Sequence, residues 1–263
     1  MTLRLDCHDE FSTLRSLSLA LNLPEDELVA GFRNYSYRDF QNSPFDNIVA
    51  RVCSFLGRDA DDIRFTEATH FHGTRLVDPG SVNVRGILAL EEIVEEIWVM
   101  LRGFSGSTDG EWQEFRDWME GEGGGDWGRL YRDKTSHSMH HGPYAYLVRE
   151  MVISPLDTDH KYLATPEIVE DICLAWEERG AETDLGALFL AASNPYVVKF
   201  RAPVVRTCDV QAAFVFVFSK TTGLELGRNL GGGWNGEGIS IPPADILGVE
   251  AVDWPLTEIK RAD

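Results

Sequence analysis

The stretch Thr69-His70-Phe71-His72-Gly73-Thr74-Arg75 decides how this chain is organised. Residues Ile63 to Phe71 lead into it with near-alternating apolar and polar side chains. That is the period of a half-buried strand, and it predicts a strand ending at His72-Gly73-Thr74. Downstream, Leu90, Ile93, Val94, Ile97, Trp98 and Leu101 recur at helical spacing, with Glu91, Glu92, Glu95 and Glu96 largely opposite. Ile87 to Leu101 is therefore expected to be an amphipathic helix whose acidic stripe is a solvated face.

Upstream, Phe11, Leu14, Leu17 and Leu21, then Phe45, Ile48, Val49, Val52 and Leu56, also follow a helical period, broken at Leu23-Pro24 and Ser43-Pro44. Residues 1–62 read as a small helical segment outside the sheet. Glycines around Gly103 to Gly110 and Gly121 to Gly128 bracket a short helix with Trp112, Phe115 and Trp118, which reads as a connecting excursion. Thr165-Pro166 offers a cap and a first-turn proline to a helix through Ile168, Ile172, Cys173 and Trp176, stopped by Gly180. Strands are expected over Gly142 to Ile153, Tyr196 to Phe200, Ala212 to Phe218, Gly238 to Ile241 and Ile246 to Val252. Helices early and strands late imply an α+β fold, with residues 63–263 as one sheet-bearing domain.

The 263 residues suffice for a substantial core, and 43% hydrophobic with 25% charged residues is an ordinary globular balance. A formal charge of −19 opposes non-specific attraction to nucleic acid or an anionic membrane. A solvated acidic surface accounts for it; the alternative is an acidic face that takes a basic partner. No run approaches the roughly 20 apolar residues that span a bilayer, and the first residues lack a basic region followed by an apolar one. Cys7, Cys53, Cys173 and Cys208 lie far apart without metal-ligand spacing and read as reduced thiols in a cytoplasm. His137, His140 and His141 lack a companion carboxylate or cysteine pattern, so they read as a polar loop and no metal is expected. Gly231 to Gly233 lacks the Lys-Ser/Thr that follows a phosphate loop. Lys199 and Arg201 flank a strand as two cations that read as a solvated face.

Three segments together resemble the ADP-ribosyltransferase superfamily, in its His-Tyr-Glu branch. His72-Gly73-Thr74, with a helix to follow, is similar to the first signature of that family. His140-His141-Gly142-Pro143-Tyr144-Ala145-Tyr146 looks like its Gly-x-Gly-Ile-Tyr-Phe-Ala segment, with His140 in place of the first glycine. Asn235-Gly236-Glu237-Gly238-Ile239 is similar to the stretch in which Asn-Glu opens the catalytic strand. The three stand in the family order over about two-thirds of the chain.

The resemblance implies a split β-sheet core, NAD⁺ as substrate and transfer of ADP-ribose to an unidentified protein or nucleic-acid acceptor. By resemblance Glu237 is the main catalytic group. His72 would hydrogen-bond the adenosine ribose, Gly73 would offer its backbone to the nicotinamide carboxamide, and Tyr144 would stack on the nicotinamide, with Tyr146 as a rival. Thr74 would add a hydroxyl contact, and Trp234 and Asn235 would touch the acceptor. The chemistry suits these residue types, because breaking the nicotinamide-ribose bond builds positive charge on the ribose that a carboxylate stabilises. Gly73, without a side chain, would let a ligand approach the backbone.

An NAD⁺ glycohydrolase, with water as acceptor, satisfies the same residues. The RNA 2′-phosphotransferase branch shares the His-Gly-Thr strand end but relies on basic residues, which a chain of −19 charge fits poorly. A non-catalytic binding module on the same fold is the alternative of another class, and retention of His, Tyr and Glu together speaks against it. The setting, whether toxin, defence or housekeeping, stays open; a basic inhibitor or antitoxin is the kind of partner the acidic surface would take.

Overall fold

A computed structural model of the chain describes residues 3–35, 48–121, 123–154, 162–202, 206–223 and 233–254. Its strands are β1 (Arg4–Leu5), β2 (Glu67–Leu76), β3 (Tyr144–Tyr146), β4 (Asn194–Ala202), β5 (Gly233–Asn235) and β6 (Ile246–Ala251). The first helices are α1 (Glu10–Leu21), α2 (Glu25–Asn34), α3 (Ile48–Phe55), α4 (Gly80–Arg85), α5 (Leu90–Ser105) and α6 (Asp109–Glu120). Then follow α7 (Gly125–Ser136), α8 (Arg149–Ile153), α9 (Glu167–Glu178), α10 (Leu185–Ala192) and α11 (Thr207–Thr222). Strands hydrogen-bond in the order β5-β3-β2-β4-β6, with β1 beside β2. β1 is parallel to β2, Arg4 opposite Glu67, whereas β3 is antiparallel to it, Phe71 opposite Tyr146. The fold class is α+β.

Several elements differ from the sequence reading. β2 begins at Glu67, not Ile63, and runs through Gly73 to Leu76, so His72 lies within the strand and not at its end. Ala212 to Phe218, expected as a strand, is the centre of α11. Those residues are buried on every side, and an apolar run without alternation fits a central helix as well as a buried strand. Of Gly142 to Ile153 only β3 is strand; Val148 adds one bridge to Cys7, and α8 takes up the residues from Arg149. Ile241 makes one bridge to Ile87, and Gly238 to Ile241 forms no strand. The break at Ser43-Pro44, the apolar Phe45, and Gly231 with Gly232 lie outside the described residues.

The chain falls into two compact units, one of residues 1–72, 145–158 and 199–234, the other of 73–144, 159–198 and 235–263. The sequence reading put a boundary at residue 62. The first unit instead groups the N-terminal helices with α11, because Leu14, Leu17 and Leu21 of α1, Leu28 and Phe32 of α2, and Ile48 and Val52 of α3 join the core around it. Phe32 meets Phe214 edge-on at 5.4 Å, and Tyr35 meets Phe218 at 5.3 Å. Phe11, expected on the apolar face of α1, is exposed. The same segment also supplies β1, so it is not purely a helical appendage.

The second unit is built on α5, α6, α7, α9 and α10. Trp112, Phe115 and Met119 of α6 are buried with Trp98, Tyr131 and Trp176, so the glycine-bracketed middle region is core and not an excursion. Trp98 Nε1 donates to Tyr131 Oη at 2.9 Å, which gives both of these atoms a partner, whereas Trp176 Nε1 in the same cluster is buried without one. Thr108 and Glu111 close a capping box on α6. α9 begins one residue later than expected, with Pro166 at the cap and Thr165 buried before it, and Gly180 follows its end at positive φ. All four glutamates of the α5 stripe are exposed. Among the described residues no helix is long and apolar enough to cross a membrane.

Two buried basic side chains carry measurable consequences. The Arg75 guanidinium is 6% exposed and donates to Ser193 Oγ (3.0 Å), Ser193 O (2.6 Å), Leu190 O (3.1 Å) and Leu163 O (3.3 Å). It thus satisfies carbonyls at the C-terminus of α10, where a cation is favoured. Arg75→Met leaves those oxygens without donors and is expected to cost about 2–4 kcal/mol, read as a lower urea midpoint with unchanged slope.

His70 is fully buried between Phe200 and Trp234, at centroid distances of 5.8 and 5.9 Å. The Ala68 backbone approaches it, yet neither ring nitrogen makes a hydrogen bond of normal geometry. Burial pulls its pKa down to about 4, against the opposing pull of Asp209. Between about pH 6.5 and 4 the unfolded chain therefore binds a proton that the folded chain refuses, and stability falls as pH drops through that window. Asp171, pushed up to about 6 mainly by burial, contributes the opposite slope, so the diagnostic is a difference. His70→Phe should remove a loss of up to about 3 kcal/mol between pH 6.5 and 4, measured by urea denaturation beside wild type at each pH.

Candidate functional site

The expected site residues divide between the two units. In the first, His72 is half-buried in β2, and Tyr146 belongs to the ladder residue pair with Phe71. Trp234, half-buried in β5, packs its ring at 5.1 Å from Phe200 and 5.9 Å from His70. Lys199 of β4 is not simply solvated: its Nζ pairs with Asp6 Oδ2 at 2.9 Å and lies 5.7 Å from the Phe71 ring centre. In the second unit, Gly73 is buried and Thr74 half-buried, both extended in β2.

Tyr144, Asn235 and Glu237 are brought together within the second unit. The carbonyl of Met139 is their junction. It accepts the Tyr144 hydroxyl at 2.7 Å and Asn235 Nδ2 at 2.9 Å, while Asn235 Oδ1 accepts the Glu237 backbone N–H at 2.9 Å. The backbones of the two loops also join, Gly236 N–H to Pro143 O at 3.0 Å and Gly238 N–H to Gly142 O at 2.9 Å. Ile87 and Ile241 exchange both backbone hydrogen bonds, and Ser240 Oγ accepts from Ala89 N–H at 2.8 Å. Residues 137–144 and 235–241 therefore form one hydrogen-bonded body, with no long loop left to wander.

Glu237 does not open a strand. It is exposed in the turn after β5 with φ of +50°, in the left-handed region, where a residue with a side chain is uncommon. The Asn235 side chain spans two residues to the Glu237 N–H and holds that conformation as an Asx turn does. Both ends of the Asn235 amide are engaged in shaping the turn. No ion pair to the Glu237 carboxylate occurs among the described residues.

Tyr144 carries a second feature: its ring is parallel to that of Tyr162 within 6°, at a centroid distance of 6.3 Å. Burial, with the Glu167 carboxylate adding to it, raises the pKa of its phenol, so the hydroxyl is a donor at neutral pH. His141 is buried beside this loop. Its Nε2 hydrogen-bonds Thr135 O at 3.1 Å, and its Nδ1, without a hydrogen bond, faces Glu91 Oε2 at 3.5 Å. Among the described residues no group of histidine, cysteine and carboxylate side chains could hold a metal ion.

No protein-family model, curated protein or solved structure matches this chain. Sequence reasoning missed Met139 because it acts through a backbone carbonyl, which no residue type announces. It missed Tyr162 because ring pairing across 18 positions leaves no local pattern, and it read His141 only as part of a polar loop.

Gly236 is a point of close approach between residues 137–144 and 235–241. A Cβ there would lie 2.9 Å from Ile239 O, 2.9 Å from Pro143 Cδ and 3.0 Å from Gly142 O, none of them the end of a flexible side chain. Gly236→Ala should therefore push the loops apart at a cost of about 1–3 kcal/mol. Gly248→Ala, with nothing within 4 Å of its Cβ, is the control and should stay close to wild type in thermal denaturation.

Proposed function

We propose that this chain consumes NAD⁺, breaking the nicotinamide-ribose bond and transferring ADP-ribose to a macromolecular acceptor. The observation that carries the reading is the hydrogen-bonded chain from the Tyr144 hydroxyl through Met139 O and Asn235 to the Glu237 backbone. Tyr144 and Glu237 are taken from two motifs 93 positions apart, and nothing in the spacing of those motifs required them to share one body.

In this reaction the C–N bond breaks with its electron pair leaving on nicotinamide, and positive charge grows on the ribose. Glu237 supplies the carboxylate that stabilises this charge, and an exposed turn lets a large acceptor reach the ribose carbon. The acceptor nucleophile forms the new bond to the ribose carbon and releases its proton to solvent at the exposed turn. Tyr144, fixed by its bond to Met139, offers a ring face to the nicotinamide, which holds the breaking bond in place. In this reading Gly73 and Thr74, of the same unit, bind the remainder of the dinucleotide. The reaction takes NAD⁺ as a substrate and calls for no metal.

Incubation with NAD⁺ and lysate, followed by nicotinamide release and transfer of labelled ADP-ribose, tests the proposal. Glu237→Gln keeps the shape of the side chain and removes its charge. Release should fall by about two or more powers of ten with NAD⁺ binding retained, the scale of one lost electrostatic stabiliser. Stability should hardly change, since Glu237 is exposed. Wild-type release by the folded variant would remove Glu237 from the mechanism and bring Asp245 forward; Glu225, the other neighbouring carboxylate, lies outside the described residues.

A further inference from the structure

Beside the Glu237 turn two large apolar side chains point into solvent, Met139 at 59% and Ile239 at 71% exposure. They come from the two loops that the Met139 carbonyl and the Gly238–Gly142 hydrogen bond hold together, and a Cβ at Gly238 would lie 3.8 Å from Ser138 O. Flexible apolar side chains on a loose loop would fold back on the surface. Here the backbone on both sides is pinned, so both apolar side chains stay exposed at the cost of their hydration.

Three carboxylates lie near these two side chains, and the nearest arginine, Arg85, is already paired with Glu96. Glu237 is in the same turn, and Glu91 and Glu92 lie at the start of α5, where Glu92 Oε1 accepts the Ser240 hydroxyl and Glu91 faces His141. Residues 137–144 and 235–241 contain no lysine or arginine; their only basic side chains are His137, His140 and His141. His141 is 8% exposed, and its Nδ1 lies without a hydrogen bond beside Gly238, where a Cβ would come within 3.9 Å of it.

We propose that Met139 and Ile239 form the docking ledge for the acceptor, a protein segment in which arginine or lysine alternates with large apolar residues. The apolar side chains of the segment cover Met139 and Ile239, and its cations meet Glu237 and the head of α5. Such a partner matches both features of the surface, whereas nucleic acid would face carboxylates and an acidic peptide would be repelled. The assignment of an acceptor rests on the enzymatic reading; the docking itself does not require NAD⁺.

The test uses the full chain and three fluorescent synthetic peptides of one length: arginine alternating with leucine, glutamate with leucine, and arginine with serine. Anisotropy titration should show the arginine-leucine peptide binding about tenfold or more tightly than either of the others, and more weakly as salt is raised. Ile239→Ser combined with Met139→Ser should lose that preference by about tenfold or more. Both positions are exposed, so circular dichroism should show the variant folded. Equal binding of the glutamate-leucine peptide, or wild-type binding by the double variant, overturns the ledge. So does dimerisation in sedimentation that the double variant abolishes, because a second copy would then be the occupant. Binding of the arginine-leucine peptide without any nicotinamide release keeps the ledge and overturns only the enzymatic reading. Nicotinamide release without peptide binding does the reverse.

Discussion

The rest of the structure depends on the burial of β2. Every residue from Glu67 to Leu76 is buried or half-buried, and a strand so enclosed persists only if its backbone groups are paired along both edges. β1, β3 and β4 supply the edges. Arg75 makes the heaviest demand inside, because a guanidinium with five donors is stable in a dry site only among several oxygens, and Leu163 O and the end of α10 provide them. His70 shows the cost of the same enclosure: two ring nitrogens lie among aromatic rings with no hydrogen bond, tolerable only while the imidazole stays neutral.

A second constraint governs the candidate site. Loops that carry chemistry must be ordered against their own conformational entropy, about 1–2 kcal/mol per residue. The pairing of residues 137–144 with 235–241 offsets this with a cluster of mutual hydrogen bonds, two of them to one carbonyl. Glu237 at positive φ is a local strain that the Asn235 side chain sustains. The outcome is a carboxylate exposed to solvent on a turn that is itself well tied down, beside two exposed apolar side chains.

Charge and burial divide the acidic excess into two kinds. The stripe on α5 is exposed and partly paired, with Glu95 to Arg116 and Glu96 to Arg85, and such surface pairs add little stability. Asp171 is the opposite case, 3% exposed and 2.7 Å from Lys134, and its raised pKa records burial that the lysine only partly relieves. The net charge of −19 therefore says little about any one carboxylate; exposure and neighbours decide each.

What the sequence determined by itself were the elements with a strong period or strong punctuation. The helix of Leu90 and its apolar partners, the helix after Pro166 with its stop at Gly180, and the strands around Tyr196 and Ile246 are all present, because their local patterns agree with their burial. The sequence also marked Tyr144 and Glu237 as residues to watch. Tertiary structure alone decided that Ala212 to Phe218 is a helix, since a run apolar on all sides has no period and takes its form from what surrounds it. It decided that Trp112 and Phe115 are core, that β2 continues to Leu76, and that the N-terminal helices pack on α11. It also decided that Tyr144, Asn235 and the Glu237 turn meet at the carbonyl of Met139. A backbone oxygen is common to every residue, so its partners are set by where the chain returns in space and by nothing written at that position.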